Sequence, residues 1–200
     1  MRRLIRPLTT SSLNVVTKQH TVRKVVQTPP SHLYSVITDV DSYASFLPYC
    51  NYSKILQRSD CNTMFDAILK IGMNSPQSTN TGSLLPDTDW MEEEYISRVK
   101  LYKGSITCTR DSQETLPSPW IVQAKSIQSQ KFHSLSSEWK LTPQEQEDDT
   151  SSHTTFVEFQ VQMSVTNPLV ALALDTLLEQ VAQSQVEAFE VECRRREYDP

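Results

Sequence analysis

The sequence predicts an α+β fold, a β-rich domain closed by one long C-terminal helix. Three observations predict it. Most segments after residue 17 alternate apolar and polar side chains with the period of two that a half-buried strand requires. From Asn167 to about Arg195 the period changes to the threes and fours of an amphipathic helix. Between these segments lie stretches of Ser, Thr, Asn, Asp and Pro, which is loop chemistry.

The opening strand runs from about His20 to Gln27, where β-branched residues are frequent, and Pro29 and Pro30 stop it. Pro30 suits a first helical turn, and Leu33, Val36 and Ile37 follow at helical spacing. A second short helix is expected over SYASFL, with Asp41 as its N-cap and Pro48 as its end. Phe65, Ala67, Leu69 and Ile71 then share one strand face. Farther on, Ser97, Val99 and Leu101 oppose Arg98 and Lys100. His133, Leu135, Trp139 and Leu141 fall on one phase of a later strand. Val157, Phe159, Val161, Met163 and Val165 fall on one phase of the next, against Glu158, Gln160 and Gln162. Loops are expected over Asn74–Asp89 and over the acidic stretches Asp87–Glu94 and Glu145–Asp149.

Asn167-Pro168 reads as an N-cap and first helical residue. The principal stripe of the last helix is Val170, Leu174, Leu177, Val181, Ala188 and Phe189. Its first turns, PLVALAL, are apolar on every side, which calls for burial all round, a ligand or a membrane. Arg194 to Arg196 complement the dipole at the other end.

A chain of 200 residues, 38% hydrophobic and 22% charged, has the size and composition of one globular domain plus an extension. No apolar run approaches the roughly 20 residues of a membrane span. Formal charge is −5, yet no Asp or Glu precedes Asp39, and Arg2, Arg3 and Arg6 stand among Ser, Thr and aliphatic residues. Residues 1–16 therefore read as a mitochondrial presequence or a disordered basic segment, 17–196 as the ligand-binding domain and 197–200 as a tail. The acidity of the remainder argues against nucleic acid as a partner.

Catalytic signatures are sparse. Three glycines, Gly72, Gly82 and Gly104, leave no phosphate-cradling loop. Cys50, Cys61, Cys108 and Cys193 lie far apart, as do His20, His32, His133 and His153, so no metal site is expected. A sheet wrapped around one helix leaves a space, here lined by Phe65, Leu69, Trp139, Phe159, Val161 and Met163, with His133 and Leu135 on the inward phase. These residues suit an apolar ligand, and they equally suit an ordinary core. His133 and Arg98 are the two groups able to hold a polar part of such a ligand. Each is open to a plain structural reading, as a satisfied core histidine or an ion-paired arginine.

The segment LYSVITDVDSYASFLPYC, Leu33 to Cys50, resembles the signature of the mitochondrial coenzyme Q-binding protein family, within the START-like, polyketide-cyclase-like superfamily. YISRV at Tyr95–Val99, LSSEWKLTP at Leu135–Pro143 and VEFQVQMSVTNPL at Val157–Leu169 extend the likeness in family order. The resemblance implies a helix-grip fold, a curved antiparallel sheet around the C-terminal helix with two short helices after the first strand. It implies binding of ubiquinone without catalysis or a catalytic cofactor, as a carrier or chaperone for respiration and quinone biosynthesis. It also implies a peripheral position on the matrix side of the mitochondrial inner membrane, with respiratory or quinone-biosynthesis proteins as further partners. Carried over by position, Leu47, Pro48, Tyr49 and Cys50 would lie at the cavity mouth, and Pro168 and Leu169 would start its lid; the apolar first turns with Leu172 and Leu174 are then expected to form a gate with the LPYC loop, and Leu177 to contact the ligand. Tyr49 stands where the family has tryptophan. Two other functions remain open, an interaction module for ribosomes or respiratory complexes and a cyclase- or dehydrase-like enzyme using the same cavity.

Overall fold

A computed structural model describes residues 15–72, 92–104, 119–144 and 154–198. Strand β1 (Val16–Val26) is followed by helix α1 (Pro30–Thr38), a 3-10 turn (Val40–Ser42) and helix α2 (Tyr43–Phe46). Strands β2 (Cys50–Arg58), β3 (Met64–Ile71), β4 (Glu93–Tyr102), β5 (Trp120–Gln128), β6 (Ser134–Gln144) and β7 (Thr154–Val165) lead into helix α3 (Pro168–Tyr198). The strands form one seven-stranded antiparallel sheet in the order β1-β7-β6-β5-β4-β3-β2. This is the helix-grip architecture: the sheet lies against α3, with α1 and α2 at one end. Residues 1–14 of the segment read as a presequence or basic tail, the acidic stretches before Glu92 and after Gln144, Cys108 and His153 lie outside the described residues.

Local chemistry explains the elements. Pro29 is extended, at φ −60° and ψ 142°, and Pro30 opens α1 where its missing N–H costs nothing. Helix α1 then buries Leu33, Tyr34, Val36 and Ile37. Asp41 differs from expectation. Its side chain caps no helix; instead its Oδ1 accepts a 2.6 Å hydrogen bond from the backbone N–H of Ile55, on the edge strand β2. The Ala44 N–H donates to Ser53 Oγ at 3.2 Å, so the short helices satisfy groups on that edge. Glu93 and Glu94, expected in a loop, begin β4. The Glu93 carboxylate is buried and accepts from Ser129 Oγ (2.9 Å), Gln130 N–H (2.6 Å) and Lys131 N–H (3.2 Å), which holds the β5–β6 turn.

Register defines rows of side chains across the inner face. One row runs Leu101, Val122, Trp139, Phe159 and Val22. The next runs Phe65, Val99, Ala124, Ser137 and Val161. Arg98 lies on the opposite phase, in a two-point ion pair with Asp66 (Nε–Oδ1 2.8 Å, Nη2–Oδ2 2.9 Å) that holds the Asp66 carboxyl below its usual range. It is an ion-paired arginine.

Helix α3 buries Ala171, Leu174, Leu178, Ala182, Val186, Phe189 and Cys193. Only Leu174 and Phe189 belong to the stripe read from sequence. Val170, Leu177 and Val181 are half-buried beside it, because the helix packs along β1 and β7 with one strip and turns an adjacent strip over the sheet. The all-round apolar first turns are not buried all round: Leu172 is 81% exposed. Phe189 anchors the other end. Its ring makes edge contacts with Trp139 (4.9 Å), Tyr43 (5.3 Å) and Phe46 (5.3 Å), and Trp139 in turn lies 4.2 Å from Phe159. Lys18–Asp175 and Lys24–Glu190 ion pairs tie α3 to β1 at two points along its length.

Near the helix end, Glu192 is 3% exposed and accepts from Arg195 and Arg196, each at 2.8 Å. Arg196 also reaches Asp39 at 2.9 Å and Ser42 Oγ at 2.8 Å, joining α3 to the α1–α2 segment. The hydrogen bonds from Arg195, opposed by burial and helped by those from Arg196, lower the Glu192 carboxyl to about 2.

Phe189→Ala removes the aromatic hub and should cost about 3–5 kcal/mol in urea unfolding, whereas a loss under 1 kcal/mol would show that the hub does not anchor α3. Because Glu192 is depressed in the folded state, its contribution is present above the unfolded carboxylate value near 4.5 and is lost as pH falls toward 2. Arg195 is 60% exposed, so screening brings that contribution to the order of 1 kcal/mol. Glu192→Gln should flatten the stability-against-pH curve between pH 4.5 and 2.

Candidate functional site: an apolar cavity under the long helix

Between α3 and the concave face of the sheet lies a cavity of about 620 Å³, within the roughly 300–1,000 Å³ of small-molecule sites. Its origin is legible in the side chains. Ser97, Ala124 and Ser137 line it on three neighbouring strands near the middle of the inner face, and side chains this short leave the space above them open. Larger residues fill the row below, where Trp139 and Phe159 meet Phe189 and close that end. At the other end the lining includes Lys131 and Asn167, both exposed, so the cavity opens between the start of α3, the β5–β6 turn and the Leu47–Cys50 loop.

Ten of the ligand-binding residues expected from sequence line this cavity: Leu47, Pro48, Tyr49, Leu69, Leu135, Trp139, Val161, Met163, Leu174 and Leu177. Cys50 joins them, its thiol raised by burial. Others stand elsewhere. Phe65 and Phe159 point inward as expected but are spent on packing, 2% and 1% exposed, behind the cavity wall. His133 is exposed and lines nothing, because β6 begins at Ser134 and the alternation does not extend back to it. Its neighbour Phe132 turns inward instead, against Tyr95 at 5.5 Å. Leu172 points to solvent. Pro168 and Leu169 begin α3, and their side chains lie outside the description.

Several lining residues escaped the sequence reading. Tyr95 continues the Ser97–Val99 phase by one step, and alternation could have found it. Val122 and Ala124 belong to β5, whose mixed composition hid its period. Gln185 lies one turn before Phe189 on α3, a polar residue in an otherwise apolar strip.

The chemistry of the lining is mostly inert. Burial, with the nearby Cys50 sulfur, holds the Tyr95 phenol well above its usual range. Burial does the same for Tyr43, which donates its hydroxyl to the Ile37 carbonyl. Among the described residues, no three His, Cys, Asp or Glu side chains converge as metal ligands, and no helix is long and apolar enough to cross a membrane.

Known proteins share this fold. The chain is 24% identical over 165 residues to the mitochondrial coenzyme Q-binding protein COQ10 of Saccharomyces cerevisiae, a match covering 82% of this chain and 67% of that protein. It is 28% identical over 113 residues to the protein of that name in Dictyostelium discoideum, covering 56% of this chain and about half, 54%, of that protein. It is also 22% identical over 182 residues to the ribosome association toxin RatA of Escherichia coli, covering 91% of this chain and 90% of that protein. Among solved structures, the Zhui aromatase/cyclase of a Streptomyces species superposes with a TM-score of 0.58 at 17% identity, over 92% of this chain and 96% of its own. A START superfamily protein of Mycobacterium smegmatis does so with a TM-score of 0.54 at 13% identity, over 86% and 98%. With the family profile for polyketide cyclase / dehydrase and lipid transport matching residues 26–190, almost the whole described fold and every wall of the cavity, the chain belongs to that family.

Proposed function

We propose that this protein binds ubiquinone, or a related polyprenyl quinone, as a carrier or chaperone without turnover. The cavity carries this reading: it is apolar, of small-molecule size, and opens beside an exposed leucine at the start of α3. The relatives named for coenzyme Q binding supply the ligand class. The lining's phenols, kept neutral by burial, favour binding over acid–base chemistry. In this reading residues 1–16 are a mitochondrial presequence, residues 17–196 the binding domain, and the protein works peripherally at the matrix face of the inner membrane. It draws the quinone tail through the mouth between the Leu47–Cys50 loop and the first turns of α3. Respiratory or quinone-biosynthesis proteins receive the ligand.

The full-length likeness to a ribosome association toxin favours one second reading, an interaction module. Organic extraction of purified protein followed by mass spectrometry separates the two. About one quinone per chain supports the carrier; an empty cavity, together with ribosome co-sedimentation, overturns it.

The gate divides into two roles. Leu174 is 1% exposed and belongs to the core, whereas Leu172 is free to enter a lipid surface. Leu172→Glu should weaken co-sedimentation with anionic vesicles roughly tenfold, as expected for losing one buried leucine, with the circular dichroism spectrum unchanged. Ala124→Leu should fill the cavity floor and weaken quinone binding about tenfold through overpacking against the ligand, while thermal stability holds or rises.

A further inference from the structure

The cavity contains a polar patch that its apolar walls do not explain. Ser97 on β4 and Ser137 on β6 both line it, and Ser97 is only 4% exposed. Across from them, Gln185 enters from α3. None of these three side chains forms a hydrogen bond with another described residue. Ser137 and Gln185 are half-buried and face the cavity, so all three polar groups are open to a ligand, and a ligand that covered them without pairing would lose on the order of 1–3 kcal/mol for each.

Their spacing is defined by the sheet. Ala124 pairs with Val99 on one side and with Ser137 on the other, which places Ser97 two residues along from Ser137's row and two strands away. Two strand spacings of about 4.8 Å and two residues of about 3.4 Å put the serines' Cα atoms roughly 12 Å apart, with Ala124 between them. A flat six-membered ring carrying oxygens at opposite positions, with a hydrogen bond of about 2.8 Å at each end, spans a gap of that order. On β5 the neighbours of that gap are Ala124, a methyl side chain, and Ser126, whose hydroxyl already accepts from the Leu135 N–H at 2.9 Å. The amide can come down from above: Gln185 is about 6 Å along α3 from Phe189, whose ring touches Trp139, and Ser137 is about 7 Å along β6 from Trp139. Both offsets run toward the mouth, so Gln185 passes over the Ser137 row.

We infer that Ser97, Ser137 and Gln185 are the head-group seat, recognising the two opposed carbonyl oxygens of a 1,4-quinone ring lying on Ala124. This rests on the quinone reading above and adds specificity and direction to it. The ring enters first and lies nearer the closed, aromatic end. The tail runs outward past Met163, Leu135, Leu177 and Leu174 to the mouth. The hydroxyls and the amide donate; the carbonyls accept. A hydrocarbon of the same length satisfies the walls but leaves the three donors unpaired, so the site discriminates by polarity and not by shape alone.

The test compares decylubiquinone with decylbenzene by isothermal titration on wild-type protein, Ser97→Ala/Ser137→Ala and Gln185→Leu. The double serine variant should raise the Kd for decylubiquinone about ten- to thirtyfold, as for two neutral hydrogen bonds, with Kd for decylbenzene changed less than about twofold. Gln185→Leu should behave in the same direction with a smaller loss. Decylbenzene binding reports the intact cavity in each variant. Quinone binding by wild type that the variants leave unchanged overturns the seat and keeps the carrier. Equal weakening of both ligands shows a merely structural role and also overturns it. A wild-type protein that binds decylbenzene but not the quinone overturns the seat and the carrier reading together.

Discussion

The meeting of Phe189 with Trp139 is the constraint on which the rest of the molecule depends. A helix laid across a concave sheet gains most by lying flat on it along its whole length. Here Phe189 fixes one end, entering an aromatic cluster contributed by α2, β6 and β7, and Ala171 and Leu174 meet Phe132 and Val165 near the other. Ion pairs from Lys18 and Lys24 hold the same helix along β1, at the margin of the sheet. Fixed by its end and its edge, α3 bridges the middle of the sheet, and the small side chains beneath it cannot reach up to close the gap. The cavity follows from these two facts and needs no special loop to create it.

An apolar cavity is a cost in an unliganded protein, since its lining loses the dispersion contacts that a close-packed interior would supply. That cost is distributed over walls built of β-branched and aromatic residues, held rigid by the register of seven strands. A greasy ligand recovers those contacts on entry and stabilises the folded state by mass action. The same logic separates Leu172 from Leu174. They are two residues apart on one helix, but one is exposed and the other completes the small core with Phe132, Val165 and Ala171 that shapes the mouth.

How far the sequence revealed this can be judged from particular residues. The α+β order and the closing helix were legible because strand and helix periods are properties of the local chain. Leu135, Trp139, Val161 and Met163 were legible as inward-facing for the same reason, and they line the cavity. Phe65 and Phe159 share that inward phase yet pack as core, because phase gives a face and not a depth; depth is decided by where α3 crosses. His133 shows a second limit. Alternation counts only within a strand, and the strand starts one residue later. The helix stripe shifted because α3 packs against β1 as well as over the sheet, which no one-dimensional spacing contains. Ser97, Ala124 and Ser137 were illegible for a deeper reason: what matters about them is that they are small and adjacent, and their adjacency exists only across three paired strands.

The mouth is organised by backbone more than by side chains, as Tyr49 shows. Tyr49 is in the left-handed region, at φ 66°, a conformation that a bulky residue adopts only when its surroundings impose it. Its carbonyl accepts the Gly72 N–H at 2.9 Å, pinning the loop between α2 and β2 to the end of β3. Gly72 permits that approach because a Cβ there would meet Asn51 Nδ2 at 3.0 Å and Glu92 Cγ at 3.3 Å. The loop's position therefore depends on a main-chain bond and on an absent side chain, not on which aromatic ring it carries. The Tyr49 ring lines the opening from there, while selection of the ligand falls to the polar groups farther in.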